Sequence, residues 1–374
     1  MSSMSDSASG LPKANRLAFI DALRGFACLW VIAVHAHGAW ITNPDDVAKL
    51  SWQYPLLSFW GLGMKGVDLF IVLSGFCLSW PIFRPDGSVD VSRVGKTFFI
   101  RRFWRIIPVY YTALLFAVVL LNSGLPKFAP YTSLLDVVPS LLGIQNVFTT
   151  FAGRINGSLW SIALELQLYV LFPFVVRMIA RFSTVTVCAL LFAISALAGI
   201  ADSFIDAANV VGYFSLPGRV GQFAAGIYVA SLMKRNIVMP ITLILFLASI
   251  GCGFGLLAHN GKGGQLIHGL TFTSWGVTFA MVILLLSRSN DLVWTGKPFG
   301  KLLCNTGLIS YSVYAVHFPI VYLLTPLNNL FGTSPMLQMG SFFVTGFPVI
   351  VVIGLSLYLS VEKWAIKKSS LMVT

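Results

Sequence analysis

Residues 16–40 read RLAFIDALRGFACLWVIAVHAHGAW, an apolar run long enough to cross a bilayer but interrupted by Asp21, Arg24 and His35. On a helix, Arg24 and His35 fall about 20° apart around the axis and roughly 16 Å apart along it. Asp21 falls about 40° to the other side of His35, so an acid, a guanidinium and an imidazole share one face, with Cys28 and Val31 between them. Ionisable groups at that depth are costly in hydrocarbon and face a bundle interior or a wet cavity. An arginine near a helix end can snorkel to the surface, and a lone histidine can be a satisfied core residue. His35 is too deep to snorkel, so the stripe as a whole reads as functional.

Working outward, 57% of the 374 residues are hydrophobic and only 10% are charged, against about 25% charge in a soluble domain. This is the composition of an all-α polytopic membrane protein. Ten apolar segments are long enough to span, near 19–40, 66–83, 107–123, 158–180, 185–203, 212–233, 238–258, 267–287, 304–330 and 336–361. The 134–150 stretch carries Asp136, Pro139 and Asn146 and reads as interfacial or re-entrant. With the N-terminus in the cytoplasm, 18 of the 25 Lys and Arg residues fall on the cytoplasmic side and five outside. Ten spans then leave both termini cytoplasmic. Residues 1–15 are expected to be a disordered tail, 16–365 the integral membrane domain and 366–374 a second cytoplasmic tail. The net charge of +12 follows the positive-inside pattern, not a basic groove for nucleic acid. Five cysteines without CxxC or Cys/His ligand spacing give neither a disulfide framework nor a metal site.

Five stretches carry polar chemistry. In GVDLFIVLSGF (66–76), Asp68 is either a helix-N-terminal acid complementing the macrodipole or a functional carboxylate. In FFIRRFWRIIPVYY (98–111), Arg101, Arg102 and Arg105 crowd the cytoplasmic start of the third span. Anionic lipid headgroups and a soluble polyphosphate ligand are both open as partners. Glu165, flanked at i−4 and i+4 by Ser161 and Tyr169, is a lone intramembrane carboxyl in the fourth span. Arg219 and Gln222 lie in apolar surroundings in the sixth span. In the ninth, Thr306, Ser310, Tyr314 and His317 share one polar face. Helix rise places His317 about 20 Å and His35 about 24 Å from the cytoplasmic ends of their spans. These two and Glu165 therefore share the middle-to-outer half of the bundle, and they form one site if their helices are neighbours. The sequence has no Walker lysine loop, HExxH or GxSxG elbow.

Seven short motifs occur in order: Arg24-x10-His35, GVDLFIVLSGF at 66–76, RRFWRI-P at 101–108 and LWSIALELQLYVLFP at 159–173. Arg219 with GQFAAG, ISYSVYAVH at 309–317 and Glu362 in SVEKW complete the set. On these motifs the chain resembles the acyltransferase-3 family of bacterial membrane proteins, over almost its whole length. The resemblance implies transfer of an acyl group, usually acetyl from acetyl-CoA, to a hydroxyl of a cell-surface polysaccharide, lipopolysaccharide or glycolipid. It also implies the bacterial cytoplasmic (inner) membrane. No counterpart of the extracytoplasmic hydrolase-like domain fused to some members is seen, so no second transfer step is expected.

By position, Arg24 and His35 match the family's essential pair, and Arg102-x-x-Arg105 matches its Arg-x-x-Arg motif. His35 would act as general base on the acceptor hydroxyl or as transient acyl carrier. Glu165 or Asp68 would orient it, with His317 as a further catalytic candidate. Arg24, Arg101, Arg102 and Arg105 would hold acyl-CoA phosphates, and Arg219, Tyr169, Tyr314 and Trp160 would meet the acceptor. The expected partners are acyl-CoA, a glycan or glycolipid and the bilayer. A transporter or flippase would also bury charge, but the matched, Gly/Pro-broken halves of many carriers are not evident.

Overall fold

The computed structural model describes residues 17–42, 55–122, 134–204, 214–259, 267, 269–288 and 295–373. The tail expected at 1–15 lies outside these residues. The elements in order are α1 (Ala18–Trp40), α2 (Pro55–Gly61), α3 (Lys65–Ser79), α4 (Lys96–Asn122), α5 (Leu134–Leu141), α6 (Thr149–Ala152), α7 (Leu159–Arg181) and α8 (Thr184–Phe204). They continue with α9 (Leu216–Lys234), α10 (Ile241–His259), α11 (Thr271–Leu286), α12 (Pro298–Leu323), α13 (Pro335–Ser341), α14 (Phe347–Leu357) and α15 (Lys363–Leu371). The chain is an all-α polytopic membrane protein. Among the described residues seven helices are long and apolar enough to cross a membrane, and two shorter apolar helices accompany them.

Each of the ten apolar segments overlaps a helix, and the differences have physical causes. The third segment starts at Lys96, not 107, so the arginine cluster belongs to the helix itself. Pro108 sits inside α4 without ending it, and the Thr112 hydroxyl donates back to the Pro108 carbonyl at 2.7 Å. Helix α9 is not among the seven long apolar ones, because it faces protein on nearly every side. There Gly218, Gly221 and Gly226 replace the large apolar residues that a lipid-facing helix needs. The 134–150 stretch holds only the short helices α5 and the start of α6, as its proline and polar residues suggest. The C-terminal residues expected as a tail are helical to Leu371, and α15 packs on α4.

Two glycine seams set the helix packing. Gly25 of α1 lies on the backbone of Leu303, and Gly307 of α12 lies on the backbone of Asp21. A β-carbon at either position would overlap main chain, so only glycine permits this approach. Helices α1 and α12 run in the same direction. Cys28 Sγ donates to the Ser310 carbonyl at 3.6 Å, and Trp40 Nε1 donates to the Val321 carbonyl at 2.8 Å. Ten residues beyond Gly25 stands His35, and ten beyond Gly307 stands His317. Equal steps along parallel helices carry both imidazoles to the same level. A second seam, Gly75 on Phe223 and Gly226 on Val72, joins α3 to α9.

Candidate active site

The two imidazoles meet. His35 Nδ1 and His317 Nε2 are 2.8 Å apart, and His317 Nδ1 lies 2.6 Å from the Tyr314 carbonyl one turn earlier. Phe318 stands edge-on to His35, with ring centroids 5.0 Å apart at 83°. Gly157 lies beneath the Phe318 ring, where a β-carbon would collide with it. Pro319 lacks the N–H that would normally serve the Ala315 carbonyl. Asn156 Nδ2 takes that carbonyl at 2.9 Å and so ties the segment before α7 to α12 beside the histidines.

From this pair toward the N-terminal ends of α1 and α12, by helix rise, lies a cavity. Tyr314, three residues before His317, lines one end, and its hydroxyl is 2.7 Å from that of Ser161. Arg24 and Arg105 line the cavity with Glu165, and the hydroxyl-bearing Ser74 and Ser310 lie along it. Tyr169 donates to Glu165 Oε1 at 2.5 Å. Arg102 lies beside this end, its guanidinium carbon 5.4 Å from the Tyr169 ring centre and 5.8 Å from that of Phe98. Its Nε is buried without a hydrogen-bond partner. A buried donor of a cation with no acceptor is uncommon and suits an anionic guest. Arg101 is exposed.

The expected residues therefore separate into two groups. Arg24, Arg105, Glu165 and Tyr314 share the cavity, with Tyr169 and Arg102 against it and the histidine pair beyond it. Asp68, Arg219 and Trp160 form another buried cluster, and none of the three lines the cavity. Arg219 is ion-paired to Asp68 and lies 3.8 Å from the Phe272 ring centre and 5.6 Å from that of Trp160. Lys65 reaches the other Asp68 oxygen at 3.7 Å. The His35 ring is thus hydrogen-bonded to His317 and also meets the Val31 carbonyl one turn earlier, while Glu165 faces Tyr169 and Asp68 faces Arg219 and Lys65.

Sequence reasoning assigned no role to Ser74 or Ser310 in the cavity, or to Phe318 over His35. Ser310 did carry a signal, since it shares the polar face of Tyr314 and His317. From the sequence, Glu362 is only a motif residue. It is buried and accepts from the Ser312 hydroxyl at 2.6 Å, in a π-helical turn (Tyr358–Glu362) between α14 and α15. Such turns are rare and occur mostly as single-turn bulges inside α-helices, frequently at functional sites.

A family model described as an acyltransferase domain matches residues 17–359. Acyltransferase MdmB of Streptomyces mycarofaciens is 26% identical over 333 residues, covering 83% of this chain and 80% of MdmB. O-acetyltransferase OatA of Staphylococcus aureus is 25% identical over 339 residues, 81% of this chain and 50% of OatA. Peptidoglycan O-acetyltransferase OatA of Listeria monocytogenes is 24% identical over 358 residues, 87% of this chain and 53% of that protein. The chain thus spans about half the length of the OatA relatives. No solved structure matches it. The family match runs through every residue that lines the cavity, and the chain therefore belongs to the acyltransferase domain family as a multi-pass membrane O-acyltransferase.

Proposed function

We propose that the chain moves an acyl group, acetyl from acetyl-CoA, onto a hydroxyl of a cell-surface polysaccharide, lipopolysaccharide or glycolipid. The reading places it in the bacterial cytoplasmic membrane with both termini in the cytoplasm. The observation that carries it is the cavity between the arginines and Tyr314, with the histidine pair one turn beyond. Arg24, Arg102 and Arg105 hold the donor's phosphates, which are too polar for hydrocarbon. Arg24 and His35 are separated by roughly 16 Å of helix, a span that suits the flexible, uncharged arm of coenzyme A. Ser74, Ser161 and Ser310 supply hydroxyls for the amides of that arm. His35 takes the proton of the acceptor hydroxyl, and the oxygen attacks the thioester carbon. The glycan acceptor rests on the relatives named O-acetyltransferase and on a histidine pair on the outer side of the cavity.

Two experiments test this. Purified protein in liposomes, supplied with acetyl-labelled acetyl-CoA and membrane glycan, should leave acid-stable label on the glycan. Label that stays in the thioester would refute the activity. For orientation, single cysteines replace Ser92 and Ser133 in a background without the five native cysteines; Ser133 lies outside the described residues. An impermeant maleimide should reach Ser92Cys from the cytoplasmic side and Ser133Cys from the outer side. Labelling of both from one side would remove the ten-span arrangement.

A further inference from the structure

We infer that His317 is a positioning residue that holds His35 in the one tautomer whose Nε2 is a free base. The inference rests on the proposed O-acyl transfer and assigns His317 a role in it. The argument runs through three atoms. The Tyr314 carbonyl can only accept, so the 2.6 Å contact requires a proton on His317 Nδ1. A neutral imidazole carries one N–H, so His317 Nε2 is then a lone pair. His35 Nδ1, 2.8 Å away, must donate to it. His35 Nε2 is left unprotonated and turned away from its partner. Reversing the chain would set an N–H-less nitrogen against a carbonyl, lone pair against lone pair.

The arrangement has the order of a catalytic triad, base then orienting group, but the orienting group is uncharged. A carboxylate at 317 would be a buried anion in a bundle centre, a costly placement. A neutral imidazole gives the same direction to the hydrogen bond without that cost. Phe318 and the Gly157 close approach hold the His35 ring on its other flank.

The chain is also a dead end for protons, since a peptide carbonyl cannot take one up. The proton that His35 Nε2 receives from the acceptor hydroxyl must leave from the same nitrogen. The oxygen–carbon bond forms, the carbon–sulfur bond breaks, and Nε2 returns the proton to the departing sulfur. Ester and free thiol are the only products, and no proton is exchanged with either side of the membrane.

The test uses the full chain in detergent. His317→Phe keeps a ring but removes the acceptor and the Nδ1 donor. It should lower kcat roughly 100-fold, within what loss of the base itself would cost, with the donor KM unchanged. His317→Gln offers a carbonyl to His35 and an N–H to Tyr314, and should recover about tenfold of that loss. In a His35→Ala background, His317→Phe should cost nothing more. Nitrogen NMR of histidine-labelled wild type, with His35 signals assigned by their loss in His35→Ala, should show Nδ1 protonated and Nε2 bare. This last measurement does not depend on any variant at 317 folding. A protonated Nε2 on His35, or His317→Phe within threefold of wild type while His35→Ala is inactive, overturns the positioning role alone. Full activity in His35→Ala overturns the base role of His35 and with it the positioning role, whereas absence of acyl transfer by the wild-type protein overturns the reading on which both rest.

Discussion

His35→Ala should slow transfer by a factor of about 100 to 10,000, the usual contribution of a positioned general base. The loss should appear in kcat, because the proposed grip on the donor's phosphates is at Arg24, roughly 16 Å away, and the cavity between is untouched. Insertion should survive, since the cost is that of one unpaired buried nitrogen on His317, about 1–3 kcal/mol. The seam that positions α1 lies ten residues earlier, at Gly25, and is unaffected. Acetylation of the labelled acceptor, measured beside donor affinity, checks both halves. A variant acetylating at near wild-type rate would make His35 a structural histidine.

Removing Arg102 and Arg105 together should weaken coenzyme A binding by about 100-fold. Hydrogen bonds to charged groups contribute roughly 1.5–3 kcal/mol each. Both arginines are half-buried, so the lower figure applies to each. Two such losses make about 3 kcal/mol, and each 1.4 kcal/mol is tenfold in affinity. Arg102 stands out within the cluster because its Nε lacks an acceptor in the free protein. The affinity should also fall with added salt, as expected of contacts made by partly exposed charges. Calorimetry in detergent reads the result. Unchanged affinity in the double variant, or lost affinity in His35→Ala, would overturn the division between donor grip and chemistry.

Much of this site could be read from spacing alone. The Asp21–Arg24–His35 stripe, the Arg102/Arg105 cluster and the Ser310–Tyr314–His317 face are each properties of one helix, and helical periodicity makes them visible. What depends on two helices was not visible in this way. Asp68 looked like a cap or a catalytic acid, and its pairing with Arg219 requires knowing that α3 and α9 are neighbours. Trp160 lies next to the catalytic stretch in sequence, but its ring faces Arg219 and Phe214. Depth matched His35 to His317 and also to Glu165. Depth carries no information about azimuth between helices, and only the first pairing is a direct contact. The glycines that decide adjacency resemble any other small residues until their opposite backbone is known.

The Gly25–Gly307 seam also bears on how turnover is paced. Main chain rests on main chain there, with no side-chain cushion to deform, so α1 and α12 behave as a single beam with both imidazoles fixed on it. An alternating carrier moves its binding site between two openings by rocking one half against the other. A rigid beam through the reaction centre removes that freedom, and the reactants must do the travelling. On the proposed reading, donor and acceptor would arrive from opposite ends at a stationary meeting point. The thickness of the barrier would then be crossed by a two-carbon fragment handed from sulfur to oxygen, while the bundle that carries it stays still.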